Sequence, residues 1–249
     1  MTAIASGASI GRDVRTIAVV GSAHFSSHLM QLTLPPLFPI LYLQFGVSFT
    51  ELGLIVTLFY TASGLGQATA GVLVDRYGAH RLLVAGIATM AASLALIACV
   101  SAYWMLLPLA VLLGLGNSVF HPADLSILSH RVGERRLGRA FAVHGLSGTL
   151  GFAAAPMLVT TIAALSGWRT ALVAVALYGF ATAALVYVNR GLLVYARRGD
   201  AAPAAGAPRR LVAYLSVIGS PIVMTAFAYF ILTAFAGGGV QTFAVTALS

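Results

Sequence analysis

Long apolar runs separated by short polar turns are the feature that most constrains how this chain folds. An α-helix rises ~1.5 Å per residue, so ~20 apolar residues cover the ~30 Å hydrocarbon core of a bilayer. Only 8% of the residues are charged, against about a quarter in soluble domains, so most of the surface must face lipid or other helices. We predict an all-α membrane protein with six spanning helices and a seventh. The runs cover residues 16–44, 50–74, 82–101, 103–125, 140–163, 169–189 and 211–236.

The distribution of arginine predicts the topology. Arginine supplies all 14 basic residues and is concentrated in the N-terminal tail and after the second, fourth and sixth runs, with only Arg169 on the opposite side. Cytoplasmic loops of membrane proteins have an excess of positive charge, so we expect a multi-pass inner-membrane protein with a cytoplasmic N-terminus. The basic run 130–139 is expected to contact anionic lipid headgroups. The dispersal of the charges among short loops argues against nucleic-acid binding.

The absence of lysine excludes two kinds of chemistry. A phosphate-binding loop requires Gly-Lys-Ser/Thr, and imine formation requires a lysine amine. A Ser-His-Asp site has no supporting nucleophile motif. We therefore expect a protein that is not an enzyme and needs no cofactor.

A glycine-containing charged turn lies between the second and third runs. It resembles the cytoplasmic Gly-x-x-x-Asp-Arg-x-Gly motif of the major facilitator superfamily, which is followed by basic residues. The resemblance implies a conformational gate that contacts a helix of a second bundle and closes the cytoplasmic side. Alanine and histidine replace the two basic positions after the motif. The residues that match the gate motif are Gly71, Asp75, Arg76, Gly78 and Arg81.

Two further stretches, residues 24–55 and 116–122, are similar to the fosmidomycin-resistance branch of that superfamily. This resemblance implies a transporter with two six-helix bundles and a central cavity, often a proton-driven drug exporter. The chain departs from the branch at two positions. His28 stands where an acidic residue is expected, and Ala123 stands where glutamate is usual, with Asp124 one position later.

The chain divides into three predicted segments. Residues 1–190 are expected to form the N-terminal six-helix bundle, built from two inverted three-helix repeats. Residues 191–210 are rich in alanine, proline and glycine and predict a cytoplasmic linker. Residues 211–249 are expected to begin a C-terminal bundle that is incomplete in this chain, so the missing transporter half is an expected partner.

Polar residues inside apolar runs are costly and mark candidate functional positions. Several share one face of the first predicted helix, and others share a face of the fourth, with one more on the fifth. The first and fourth helices line the cavity in the resembled superfamily, so we interpret these residues as a solute and proton site. The candidates are His24, His28, Gln31, Asn117, His121, Asp124 and His144.

Histidine suits proton coupling because its ordinary pKa of ~6.5 is close to physiological pH. We expect Asp124 to pair with His121 one turn earlier. The alternative interpretation is interhelical hydrogen bonding, worth about 0.6 kcal/mol per group. A metal site at His24 and His28 is less favoured, because no cysteine or carboxylate lies at ligand spacing and His121 or Asp124 would have to converge from another helix; we expect none.

Small residues recur every four positions on the fifth predicted helix, a pattern that allows another helix to approach closely. The residues of this packing motif are Ser147, Gly148, Gly151, Ala155 and Pro156. It only partly matches the Gly-Pro ending that the resembled antiporters have.

These observations predict secondary active transport of a small organic solute by alternating access, with proton-coupled drug or metabolite efflux as the leading form. Uptake or facilitated diffusion of an organic anion is the alternative within transporters. A non-transporting membrane sensor or assembly partner is the alternative outside them.

Overall fold

The computed structural model describes residues 10–195 and 219–248. The later part of the predicted linker, from residue 196, and the predicted start of the seventh helix at Leu211 lie outside the described residues. Short 3₁₀ turns at Pro35–Leu37 and Tyr103–Met105 connect some of the helices. The α-helices in the described ranges are α1 (Ile10–Gln31), α2 (Phe38–Phe45), α3 (Phe49–Tyr77), α4 (Ala79–Ile97), α5 (Leu106–Asn117), α6 (Phe120–Arg131), α7 (Glu134–Ser166), α8 (Trp168–Val188), α9 (Arg190–Leu193) and α10 (Pro221–Leu248).

Several helices have the length and composition of membrane spans. In the described part of the chain, five segments are long and apolar enough to cross a membrane. The prediction of an all-α membrane protein is confirmed. The helix α1 is not among the five because polar residues occupy one of its faces, yet it packs inside the same bundle against α7 and α8. The five segments are Phe49–Tyr77, Ala79–Ile97, Tyr103–Arg131, Glu134–Ser166 and Trp168–Val188.

The helix pairing fits two three-helix units. The helix α1 packs on α7, α3 packs on α5, and α4 packs on α8. The first helix of each unit therefore contacts the second helix of the other, and the two third helices contact each other. This exchange is the arrangement that repeats related by a pseudo-two-fold axis produce.

The first helix of each three-helix unit is broken, although the sequence predicted a continuous run in each. The run 16–44 breaks after Gln31, because Pro35 and Pro36 lack the N–H groups that a continuing helix would need. The run 103–125 breaks at Ser118 and Val119, between α5 and α6. The first break leaves the polar candidates of its run together on α1, whereas the second separates Asn117 on α5 from His121 and Asp124 on α6.

Two ends of the predicted elements differ in the structure. The linker was expected to begin at residue 191, but α9 extends to Leu193, whose side chain is fully buried. The seventh run was expected to end at 236, but α10 continues through three glycines to Leu248. Glycine weakens a helix by only about 1 kcal/mol per residue, which does not necessarily end a helix in an apolar setting. Near its end, α10 packs on the turn Pro35–Leu37.

The helices α1 and α7 approach each other closely because glycines face α1. A Cβ atom on Gly148 would lie 2.9 Å from the His24 ring. A Cβ atom on Gly151 would contact the backbone oxygen of Phe25. In the same packing motif, Ala155 is fully buried, Ser147 lies opposite Gly21, and Pro156 is half-buried inside α7.

An ion pair that the sequence analysis did not identify joins the start of α1 to the α6–α7 turn. The side chain of Asp13 is fully buried, and its Oδ2 accepts hydrogen bonds from Gly133 N–H at 3.1 Å and from Arg136 Nε at 2.7 Å. Burial alone would raise the pKa of Asp13, but these two hydrogen bonds and the arginine charge outweigh it and hold the pKa below its ordinary value of 3.8. Asp13 precedes the apolar run, so the pair lies at the membrane face.

Replacing Asp13 with asparagine is expected to lower the free energy of unfolding by about 1.5–3 kcal/mol, the contribution of hydrogen bonds to a charged group. Because the pKa is lowered in the folded state, the wild-type stabilisation is present above the unfolded pKa of 3.8 and is lost as the pH falls from there through the folded pKa. Unfolding in mixed micelles at several pH values measures this loss. Glu134→Gln, at an exposed site in the same turn, is the control. If Asp13→Asn kept the wild-type pH dependence of unfolding, the carboxylate of Asp13 would not be its origin.

The basic run 130–139 is only partly available to lipid. Arg136 binds Asp13, and Arg131 Nε donates to the backbone oxygen of Leu192 at 2.7 Å. Arg135 and Arg139 remain exposed. The expected contact with anionic headgroups therefore stays a prediction for those two arginines.

Candidate functional site

Five of the predicted site residues meet between α1, α6 and α7. The helix α1 contributes two histidines, α6 contributes a histidine and the aspartate, and α7 contributes one histidine. The close contact of α7 with α1 is what brings the fifth member into the group. We call this group the histidine–aspartate cluster. Its members are His24, His28, His121, Asp124 and His144.

The carboxylate of Asp124 is the centre of the cluster. It is fully buried, and its Oδ2 lies 3.2 Å from His144 Nε2 in hydrogen-bond geometry. The same oxygen lies 3.2 Å from His24 Nδ1, within ion-pair distance but without hydrogen-bond geometry. The second oxygen, Oδ1, has no hydrogen-bond partner. A buried carboxylate is stable as an anion only beside a positive partner.

The imidazole rings of the cluster lie close to one another. His24 and His144 are stacked with their ring centroids 3.6 Å apart. Two cationic rings at this separation would repel each other, and Asp124 Oδ2 lies 3.2 Å from a nitrogen of each. The centroid of His28 lies 4.4 Å from that of His24 and 4.1 Å from that of Phe152.

His121 gives the cluster access to the surface of the bundle. Its side chain is exposed in the described chain, and its ring centroid lies 5.3 Å from that of His24. His24, His144 and Asp124 behind it are all buried. The cluster is therefore a buried charge site with one exposed histidine.

The predicted pairing of Asp124 with His121 is not what the structure shows. Asp124 contacts His24 and His144 instead. The helices α1 and α7 both pack on α6, on the side where α6 carries the carboxylate of Asp124. The sequence placed Asp124 and His121 one turn apart on one helix, and spacing along that helix could not reveal partners on the other two.

Two predicted site residues lie outside the cluster. Asn117 ends α5 and accepts a hydrogen bond at 2.8 Å from Ser63 of α3. It was expected to share a helix face with His121, but the break after α5 places it on a different helix. Gln31 donates to the Tyr60 hydroxyl at 3.1 Å.

Of these two residues, Gln31 lines a second region. Gln31 and Tyr60 border a small apolar pocket together with Phe59, Pro35 and Thr242 of α10. Tyr60 and Ser63 were not identified from the sequence. Their sequence signal is a hydroxyl at every third position from Thr57 to Ser63 in an apolar part of the helix, which is common in packed membrane helices.

The gate-motif residues form the turn between α3 and α4. Gly78 ends α3 and precedes α4 with φ +91°, a conformation that favours glycine. Asp75 and Arg81 are exposed, and the Arg76 guanidinium lies 5.3 Å from the Tyr77 ring. A Cβ atom on Gly71 would meet nothing within 4 Å. The motif therefore presents an open surface.

Imidazole and carboxylate groups in this arrangement can take up, hold and release a proton. One proton can sit between Asp124 and His144, and His121 is the member through which solvent could deliver it. A histidine converts between neutral and cationic forms near physiological pH. The chemistry available is therefore proton exchange coupled to a buried charge.

Comparison with known proteins relates the chain to membrane transporters. The family model described as Major Facilitator Superfamily matches residues 20–249. The chain is 28% identical over 148 residues to the fosmidomycin resistance protein of Escherichia coli (strain K12), a match that covers 59% of this chain and 36% of that protein. It is 28% identical over 137 residues to the multi-drug resistance efflux pump PmrA homolog of Lactococcus lactis subsp. lactis (strain IL1403), covering 55% and 34% of the two chains.

A solved structure shows the same fold. The bacterial homolog of the human lysosomal transporter Spinster, crystallised in an inward-facing and unoccupied conformation, superposes with a TM-score of 0.71 at 14% identity. That match covers 96% of this chain and 56% of the other. The alignments to the curated relatives span about a third of their length, 36% and 34% in the two cases above.

Proposed function

Because the chain belongs to the Major Facilitator Superfamily, we propose that it provides the first helical bundle of a secondary transporter that exports a small organic solute across the inner membrane in exchange for protons. Membership supports transport of a small solute. Two relatives, the fosmidomycin resistance protein and the multi-drug resistance efflux pump PmrA homolog, support export of drug-like compounds. Fosmidomycin is accordingly the first solute to test.

The observation that carries the proton assignment is the fully buried carboxylate of Asp124 between two histidines. Ionisable groups inside a membrane bundle are costly and usually mark ion or proton pathways. A hydrogen-bonded pair would be enough for helix packing, whereas four imidazoles around one carboxylate exceed that need. The proposal is that protonation of this cluster alternates with solute binding.

The route of the proton is proposed to run through His121. It is the exposed member of the cluster, and a second bundle packed against this face would place it in the central cavity. Protonation would neutralise the anionic charge of Asp124 and release solute. Deprotonation would restore the charge and allow the next cycle.

The gate motif is proposed to close the cytoplasmic side. Asp75 is exposed at the end of α3, where it can contact the N-terminus of a helix in the second bundle. Such a contact between a carboxylate and a helix N-terminus is worth about 0.3–1 kcal/mol. A contribution of this size can shift a conformational equilibrium without locking it.

The topology is proposed to place the N-terminus and the linker 191–210 in the cytoplasm. The exception to the arginine bias, Arg169, donates to the backbone oxygen of Val100 at 3.0 Å and stacks on Trp168 at 4.3 Å. Single cysteines introduced into both segments, in a Cys99→Ser background, are expected to be protected from impermeant thiol reagents in intact cells. Labelling of both segments from outside would reverse the topology.

Transport is expected to need a second bundle. Residues 1–249 expressed alone should insert into the membrane but not transport, because alternating access requires two bundles around one site and the polar face would lack partners in lipid. The C-terminal bundle supplied as a separate polypeptide should restore transport. Liposomes with the chain alone, under a pH gradient, are the test. Saturable solute movement there would show that the chain is a self-sufficient half-transporter.

A further inference from the structure

We propose that the histidine–aspartate cluster also binds one divalent transition-metal ion, best represented by Zn²⁺, through His24, His121, His144 and Asp124. The metal hypothesis from the sequence used His24 and His28 and lacked a carboxylate. The structure supplies the missing ligands from α6 and α7. This inference goes beyond the proposed transport role.

The donor atoms are close enough to surround one ion. One ligand nitrogen from each of His24, His121 and His144 lies within 4.8 Å of the others. Zinc forms bonds of ~2.0–2.2 Å to imidazole nitrogen and carboxylate oxygen, so ligands of a tetrahedral ion are ~3.3–3.5 Å apart. The separations of 3.2 Å from Asp124 Oδ2 to His24 Nδ1 and to His144 Nε2 already match this spacing.

The remaining movement is small. The three nitrogens lie within 4.8 Å of one another, so they have to approach by up to about 1.4 Å to reach tetrahedral spacing, with most freedom at the exposed ring of His121. Because its side chain is exposed, rotation about its side-chain bonds can provide that movement without disturbing the packed helices.

Unpartnered atoms point to an occupant other than a proton. His24 Nδ1 and Asp124 Oδ1 are buried and have no hydrogen-bond partner, and both residues are at least 97% buried, with 3% and 0% exposure. A proton joins one donor to one acceptor. A divalent cation accepts lone pairs from four ligands at once, so an ion bound at Asp124 Oδ2 satisfies His24 Nδ1 and lies beside the orphan Oδ1 of the same carboxylate.

The donor set also indicates which ion. Three imidazoles and one carboxylate favour zinc, nickel or copper over magnesium and calcium, which prefer oxygen ligands. A bound dication neutralises the buried carboxylate by direct coordination, whereas an imidazolium neutralises it only as a neighbouring charge. Zinc fits the tetrahedral number of ligands that the three helices provide.

The test is metal binding to the purified chain without a histidine tag, after treatment with a chelator. Isothermal titration with Zn²⁺ should give one site, and Co²⁺ should give the strong visible absorption of a tetrahedral complex. His121→Gln and Asp124→Asn should each weaken binding by at least about 100-fold. His130→Gln is the matched control, because His130 stacks on Tyr195 outside the cluster.

Two outcomes would overturn the proposal: absence of a site in the wild-type chain, or full Zn²⁺ affinity in both variants. His121 is exposed, so its variant keeps the buried packing and separates loss of a ligand from loss of the fold; helicity by circular dichroism verifies this. The measurement is made on the chain alone, which is not expected to transport. Its result therefore stands apart from the transport proposal, which fails or succeeds in the assembled transporter.

Discussion

Replacing Asp124 with asparagine is expected to abolish transport driven by a pH gradient in the transporter assembled from both bundles. Asparagine has nearly the same shape and still accepts a hydrogen bond from His144, but it can neither carry the negative charge nor take up a proton. The histidines around it would then lose the buried anion that stabilises their cationic form, so the site would no longer hold a proton near physiological pH. Accumulation of solute in inverted membrane vesicles under an imposed pH gradient measures the loss.

The amount of protein in the membrane distinguishes this result from a folding defect. Asp124→Asn is expected at wild-type levels, because a neutral amide in a buried site is less costly than an unpaired charge. His28→Ala, at the edge of the cluster, should also stop gradient-driven transport. Glu134→Gln, at an exposed site, should transport normally. Reduced amounts of both cluster variants would support the packing interpretation instead, and normal transport by both would remove the site.

Replacing Gly151 with alanine is expected to separate α1 from α7 and lower the stability of the bundle by about 1–3 kcal/mol, the usual cost of overpacking. The added Cβ atom would contact the backbone oxygen of Phe25, which cannot move without shifting α1. The same shift would displace His24 and His28, so proton coupling should weaken as well. Unfolding in mixed micelles measures the stability.

Gly145 provides the matched control on the same helix. A Cβ atom there would meet nothing within 4 Å, and alanine is a better helix former than glycine. Gly145→Ala is therefore expected to be neutral or to stabilise by up to about 1 kcal/mol. Equal stability of the two variants would show that the close approach of α1 and α7 does not depend on glycine.

The apolar runs and the arginine pattern were enough to predict an all-α membrane protein, because lipid allows few structures other than apolar helices. The polar residues on α1 were predictable for the same reason, since each is costly in an apolar helix. The breaks were less predictable. Pro35 and Pro36 explain the first, but Ser118 and Val119, where the second break lies, contain no residue that forbids a helix.

The contacts between helices could not be predicted from spacing along one helix. Asp124 contacts His24 and His144 and not His121, which is nearer in the sequence, because helix packing decides which side chains meet across the bundle. The Asp13–Arg136 pair joins residues 123 positions apart for the same reason. In the sequence, Arg136 was indistinguishable from the arginines around it, and only the α6–α7 turn brings it to Asp13.

The most direct test of the account is simultaneous measurement of solute and proton movement. Liposomes containing this chain and its C-terminal bundle would hold a pH-sensitive dye, and a solute transported by the assembled protein would be added outside. The account predicts that solute flux drives an opposite proton flux and that Asp124→Asn removes the proton flux. The account would be contradicted if solute moved without any change in internal pH and moved at the same rate when no pH difference across the membrane was present.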